Sequence, residues 1–128
     1  MKYIYLLTLF FLTSCLSMKQ DYKTYSSKME NKKADGKEFV ISTAEKAISN
    51  NLIRQNPLVI IDAIALDNKE TEQVQYSILY KDDIENIAVL ESEKAIPIYG
   101  EKGKNGLVLV TRKKKAQKYL EYYLKRHE

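Results

Sequence analysis

The fold of this chain is decided by residues 99–111, which read YGEKGKNGLVLVT. Three glycines within seven positions, together with the Asn105-Gly106 pair, predict a loop that closes in a tight turn. We expect Gly100 to end a preceding helix, because glycine reaches a left-handed backbone conformation at little cost. The unbroken apolar run over residues 107–110 then predicts a strand buried on both faces.

Two further strands are predicted upstream of this loop. Residues 58–61 form a continuous aliphatic run, which indicates another strand covered on both faces. Residues 86–90 predict a strand that the turn would place beside residues 107–110. Residues 63–66 fit either a hairpin partner of the first strand or a bent extension of it.

Helix signals lie between and before these strands. Residues 42–45, Ser-Thr-Ala-Glu, fit a capping box, so we expect a helix over about residues 43–53. Residues 73–80 alternate like a strand but also fit a helix, and a short helix is the favoured interpretation. Ser92 is predicted to cap another short helix. Pro97 limits that helix to little more than one turn, because proline lacks an amide donor.

The C-terminal segment predicts a basic amphipathic helix over residues 114–128. Apolar side chains recur there at the three- and four-residue spacing of a single helix face. From Thr111 onward the chain carries seven Lys or Arg and two Glu. The lysines on the other faces, which we expect to contact a membrane or a partner, are Lys114, Lys115, Lys118 and Lys125.

Residues 82–111 resemble the plug domain of TonB-dependent receptors, in the form common in Bacteroidota. Residues 56–62 are similar to the first strand of that domain, and the likeness covers roughly residues 42–113. The resemblance implies an α+β fold with a small mixed sheet and short helices. The chain departs from the family at Ala63, where glycine is usual, and at Pro97, within a helix that is usually alanine-rich. The residues that carry the resemblance, which we expect to be structural, are Asp62, Tyr99, Gly100, Gly103, Asn105 and Gly106.

The N-terminus has the layout of a secretory signal. A positive Lys2 precedes an apolar run over residues 4–12, and small residues then lead to Cys15, the only cysteine. This order resembles the lipobox of bacterial lipoproteins, in which the cysteine is acylated and begins the mature protein. Lipoprotein sorting in Bacteroidota further implies the outer membrane, with the domain facing the periplasm. The predicted segments are a signal peptide over residues 1–14, the acylated cysteine with a flexible tether over residues 15–41, a plug-like domain over residues 42–113 and the C-terminal helix.

The sequence predicts no enzyme, no cofactor and no metal site. Its one histidine, His127, lies at the C-terminus, and acylation of Cys15 would leave no thiol. The glycine loop lacks the Gly-Lys-Ser/Thr of a phosphate-binding P-loop, and a net charge of +4 does not argue for nucleic acid. A carboxylate pair alone specifies no reaction. The acids most worth testing as a cluster are Asp62, Asp82, Asp83 and Glu85.

The predicted function is a non-catalytic protein-interaction module at the cell envelope. The resemblance implies a plug-like domain, and we expect it to act without the many strands that a transmembrane barrel needs. We expect a protein partner in the envelope, and the open edges of a small sheet also allow pairing with a second copy. The alternative is structural, with the basic C-terminal helix lying on an anionic membrane surface. An apolar stripe of this kind, however, more often packs on its own sheet.

Overall fold

The computed structural model describes residues 32–127, which form a mixed α+β domain with helices against both faces of one sheet. The predicted fold class is therefore confirmed. The predicted signal peptide, Cys15 and the first part of the predicted tether lie outside the described residues. Within residues 32–127 no helix is long and apolar enough to cross a membrane. In chain order the elements are α1 (Gly36–Ser49), β1 (Leu58–Ile61), β2 (Ile64–Ala65), α2 (Lys69–Ser77), β3 (Ile84–Leu90), α3 (Ser92–Tyr99), β4 (Leu107–Arg112) and α4 (Lys114–His127).

The sheet has the strand order β2-β1-β4-β3, so β4 lies inside the sheet and β3 forms one edge. β4 pairs in parallel with β1, where Leu58 lies opposite Leu107. It pairs antiparallel with β3, where Leu90 lies opposite the same Leu107. The predicted pairing of the last strand with the strand at residues 86–90 is therefore confirmed. β2 is the antiparallel partner of β1, which selects the hairpin for residues 63–66.

Each face of the sheet has its own apolar core, because side chains alternate between the two faces along a strand. On the first face, Val108 and Val110 pack with side chains of α1 and α2. On the second face, Leu58 and Leu107 pack with Ala95 of α3. β1 and β4 are consequently covered on both faces, as their unbroken apolar runs predict.

Helix α1 extends over Gly36–Ser49, whereas the sequence predicts a helix over about residues 43–53. Ser42 lies inside this helix and is exposed, so the predicted capping box is wrong. The predicted boundary between the tether and the folded domain is also wrong, because residues 36–41 belong to α1.

Burial of apolar side chains explains the earlier start of α1. Val40 is fully buried, and Ala44 and Ala47 follow it at helical spacing toward the same core. The backbone N–H of Gly36 donates to the carbonyl oxygen of Leu79 at 3.0 Å. The first turn of α1 is thereby held against the segment that follows α2.

Helix α2 confirms the helical interpretation of residues 73–80, although it runs over Lys69–Ser77 and so begins earlier than predicted. Asn68 is its N-cap, and the side-chain oxygen of Asn68 accepts from the backbone N–H of Thr71 at 2.8 Å. This bond satisfies one of the amide donors that a helix start leaves without a partner.

Helix α3 is longer than the sequence predicts, because Pro97 lies inside it without ending it. The helix continues for two residues after Pro97 and then ends at Gly100, and the proline removes only the hydrogen bond of its own missing amide donor. Glu91, rather than Ser92, occupies the N-cap position, and its side chain makes no capping hydrogen bond.

Candidate functional site

The residues that carry the family resemblance do not form one site, because the structure divides them between opposite ends of the sheet. β1 and β4 are parallel, so their amino ends lie together and their carboxyl ends lie together. The glycine loop, residues 99–106, leads into the amino end of β4, whereas Asp62 follows the carboxyl end of β1. The amino end and the carboxyl end are therefore two distinct polar regions.

Two glycines of the loop have backbone conformations that favour glycine. Gly100 ends α3 with a φ of 62° and a ψ of −140°, so the predicted positive φ is confirmed. Gly106 has a φ of 92°, and a Cβ atom there would lie 2.4 Å from Cγ2 of Ile53. The close approach of Gly106 to Ile53 leaves no room for a side chain between the turn and the first-face core.

Asn105 and Gly106 join the glycine loop to the segment that precedes β1. The backbone N–H of Arg54 donates to the carbonyl oxygen of Asn105 at 2.9 Å. The N–H of Leu58 donates to the carbonyl oxygen of Gly106 at 3.1 Å. The Asn105 side-chain amide donates to the carbonyl oxygen of Asn56 at 3.2 Å. These bonds hold the start of β1 beside the start of β4.

The surface of the amino end carries paired charges. Lys102 Nζ lies 2.7 Å from Oδ2 of Asp67, and this hydrogen bond holds the pKa of the Asp67 carboxyl below its ordinary value. Lys104 lies 3.9 Å from the carboxylate of Glu101. Tyr99 is half-buried and packs against the second-face core. The cations of this loop thus have carboxylates beside them.

A buried ion pair occupies the carboxyl end. Arg112, the last residue of β4, is 2% exposed, and its Nη1 donates to Oδ2 of Asp62 at 2.6 Å. The backbone N–H of Arg112 donates to the other carboxylate oxygen at 2.8 Å. Within the described part of the chain, no acceptor contacts the buried Nε of Arg112. The Asp62 carboxylate therefore neutralises the Arg112 guanidinium, which is buried away from water.

Two glutamines connect this ion pair to neighbouring helices. Gln117 of α4 donates through Nε2 to the carbonyl oxygen of Arg112 at 2.7 Å. The side-chain oxygen of Gln75, on α2, lies 3.5 Å from Nη2 of Arg112. The first turn of α4 is consequently fastened to the end of β4 beside the ion pair.

Sequence reasoning missed Arg112, because its charge falls within the basic C-terminal run. A usable signal exists, since Arg112 follows Val108 and Val110 at the two-residue spacing of a strand. That spacing predicts the same buried face for all three residues, and a buried charge requires a partner.

The turn between β1 and β2 has an unusual backbone. Asp62 and Ala63 have φ values of 48° and 67°, both in the left-handed region. Ala63 is the position at which the chain departs from the plug-domain resemblance, and its positive φ is one that glycine adopts at lower cost. A left-handed alanine costs roughly 1 kcal/mol, which the surrounding hairpin offsets.

The acids named as a candidate cluster lie in different surroundings, and Glu85 is exposed on β3. Asp62 belongs to the ion pair at the carboxyl end, and the Asp82 carboxylate pairs with Lys32. The carbonyl oxygen of Asp83 accepts from the backbone N–H of Lys113 at 2.7 Å. Among residues 32–127, no three acids, histidines or cysteines are grouped as metal ligands would be.

Helix α4 is more buried on its predicted apolar face than on its predicted basic face, over the residues whose side chains are described. Ala116 is 2% exposed and Leu120 is half-buried, while the side chains of Tyr123 and Leu124 lie outside the described part. The lysines predicted to contact a membrane or a partner are all exposed: Lys114, Lys115, Lys118 and Lys125.

Comparison with known proteins finds a relative for less than half of the chain. Over 61 residues, 46% of this chain, the sequence is 36% identical to the TonB-dependent receptor SusC of Bacteroides thetaiotaomicron. The matched segment is 6% of the length of that receptor. No family model and no solved structure matches the chain. The match supports a plug-like relationship between this chain and a small part of a TonB-dependent receptor.

Proposed function

We propose that this protein is a lipid-anchored envelope protein whose plug-like domain is a non-catalytic protein-interaction module. The observation that carries the proposal is the match to a TonB-dependent receptor, which agrees with the resemblance of residues 82–111 to a plug domain. The matched segment is a small share of the receptor, so the receptor's own activity does not enter the proposal.

The proposed contact surface is the outer edge of β3. This strand ends the sheet order, and within residues 32–127 no strand pairs with its outer side. Over Ile84–Leu90 it contains no lysine and no proline, the residues that most often discourage pairing at an edge. A register irregularity between Ile84 and Asn86 is confined to its beginning. An extended segment of a partner protein would add a fifth strand there.

The non-catalytic part of the proposal is supported by the placement of the polar residues. Asp62 is committed to Arg112, and the lysines of the glycine loop have carboxylate neighbours. These contacts serve packing and turn geometry.

The lipid anchor is tested by the fate of Cys15. We expect the wild-type chain to incorporate an alkyne-labelled fatty acid in cells and to fractionate with the outer membrane. Cys15→Ser removes the acylated thiol, so label and membrane fractionation are both lost, whereas the matched control Ser17→Ala keeps them. Labelling that survives Cys15→Ser would overturn the lipoprotein assignment.

The interaction role is tested by crosslinking the acylated protein in cells and identifying the attached chains by mass spectrometry. We expect one dominant envelope protein. Recovery of only a second copy of this chain would replace the proposed partner with a homodimer, and recovery of lipid alone would contradict an interaction role.

A further inference from the structure

Helix α4 turns a continuous basic face to solvent. Successive residues of an α-helix are separated by about 100° around its axis, so the exposed cations of α4 fall within an arc of about 120°. Tyr122 lies inside this arc, is 42% exposed, and has the Arg126 guanidinium 5.6 Å from its ring centre. The basic face of α4 consists of Lys114, Lys115, Lys118, Tyr122, Lys125 and Arg126.

The opposite side of α4 is engaged by the domain. Ala116 is 2% exposed, and Gln117 is bonded to the carbonyl oxygen of Arg112. These contacts orient the first turn of α4, with Ala116 on the side of the domain and Lys114 and Lys115 exposed. The exposed cations of α4 are therefore accessible from solvent.

The charge on this face is strongly one-sided. Five cations lie on it, whereas Glu121 is the one acid of the helix within the described residues, and it pairs with Lys125 at 2.9 Å. That ion pair is exposed, so water and salt weaken it and it holds Lys125 only loosely.

We propose that the basic face of α4 docks on the anionic headgroups of a phospholipid bilayer. Charge complementarity supports this occupant, because clustered Lys and Arg on a helix bind anionic lipid surfaces. Tyr122 at the centre of the face adds an aromatic ring of the kind that is enriched at membrane interfaces. The predicted acylation of Cys15 would hold the domain close to such a surface. This inference is independent of the proposed protein partner at β3.

The test measures sedimentation of the mature chain, residues 15–128 with Cys15→Ser, with phosphatidylcholine vesicles that contain or lack phosphatidylglycerol. We expect binding only to the anionic vesicles. Lys114→Gln, Lys118→Gln and Lys125→Gln together should weaken binding about a hundredfold, since each lysine contributes several-fold. The matched control, with the same change in net charge, replaces the exposed lysines Lys46, Lys69 and Lys94 and should bind almost as the parent does.

A fluorescence readout locates the contact. The chain contains no tryptophan, so Tyr122→Trp introduces a single fluorophore on the basic face. Its emission should shift to shorter wavelength with anionic vesicles, whereas Ile98→Trp on exposed α3 should show no shift. The proposal would be overturned if both triple lysine variants lost binding equally, or if both tryptophans showed the same emission shift. It would also be overturned if the chain bound single-stranded DNA or polyglutamate more tightly than anionic vesicles.

Discussion

Each end of the sheet carries an ion pair between a basic side chain and an aspartate, but one pair is buried and the other is exposed to water. At the carboxyl end, Arg112 is buried and depends on Asp62 for its neutralisation. At the amino end, Lys102 and Asp67 pair at nearly the same distance but remain open to water. Backbone hydrogen bonds and glycine geometry, rather than charge, hold the amino end. Burial, and not the mere presence of an ion pair, therefore decides which of the two pairs the fold requires.

The largest effect is expected from breaking the buried ion pair. Asp62→Ala leaves Arg112 charged and without its counter-ion, so we expect a loss of about 3–5 kcal/mol in the free energy of unfolding. Urea denaturation followed by circular dichroism measures it. The double variant Asp62→Ala with Arg112→Met removes both charges and should recover much of the loss. If Asp62→Ala lowered the free energy of unfolding by less than about 1 kcal/mol, the buried pair would contribute no more than an exposed ion pair does, and the account of burial would be wrong.

The next effect is expected from the turn at the amino end. Gly106→Ala forces a side chain into a left-handed position and against Ile53, so we expect a loss of about 2–4 kcal/mol. Gly100→Ala is the matched control, because its φ is also positive but no atom lies within 4 Å of the added Cβ. If both variants lose the same stability, the contact with Ile53 contributes nothing.

A gain is expected at the turn beside the buried pair. Ala63→Gly relieves the left-handed alanine at φ 67°, and we expect up to about 0.5 kcal/mol of stabilisation after the entropy cost of glycine. The control Ala65→Gly, in extended β2, should instead lose stability. Thermal unfolding compares the two, and destabilisation by Ala63→Gly would contradict the strain assigned to this turn.

The smallest effect is expected from the exposed pair. Asp67→Asn should leave stability at pH 7 almost unchanged, because both partners remain solvated. The pKa of Asp67 is lowered from 3.8, so any stabilisation from its charge is present above that value and is lost as the pH falls through the lower, folded-state pKa. Denaturation curves of the wild type and Asp67→Asn should therefore converge in acid. A clear difference in the free energy of unfolding between wild type and Asp67→Asn at pH 7 would contradict the expectation that an exposed ion pair contributes little to stability.

The amino end was largely predictable from the sequence, whereas the carboxyl end was not. Gly100 and the Asn105-Gly106 turn act through local backbone geometry, which residue type alone indicates. Arg112 acts through a partner fifty positions away, and its charge resembles that of the exposed lysines that follow it. The early start of α1 escaped prediction for a related reason, since the burial of Val40 depends on packing against distant strands.

The proposed contact between the outer edge of β3 and an envelope protein is tested by a photo-crosslinking residue placed at Asn86. Asn86 is exposed on β3, and the exposed Glu70 on α2 is the control position away from that edge. We expect one dominant crosslinked envelope protein from position 86 and none from position 70. The same products from both positions, or no product from position 86, would contradict it.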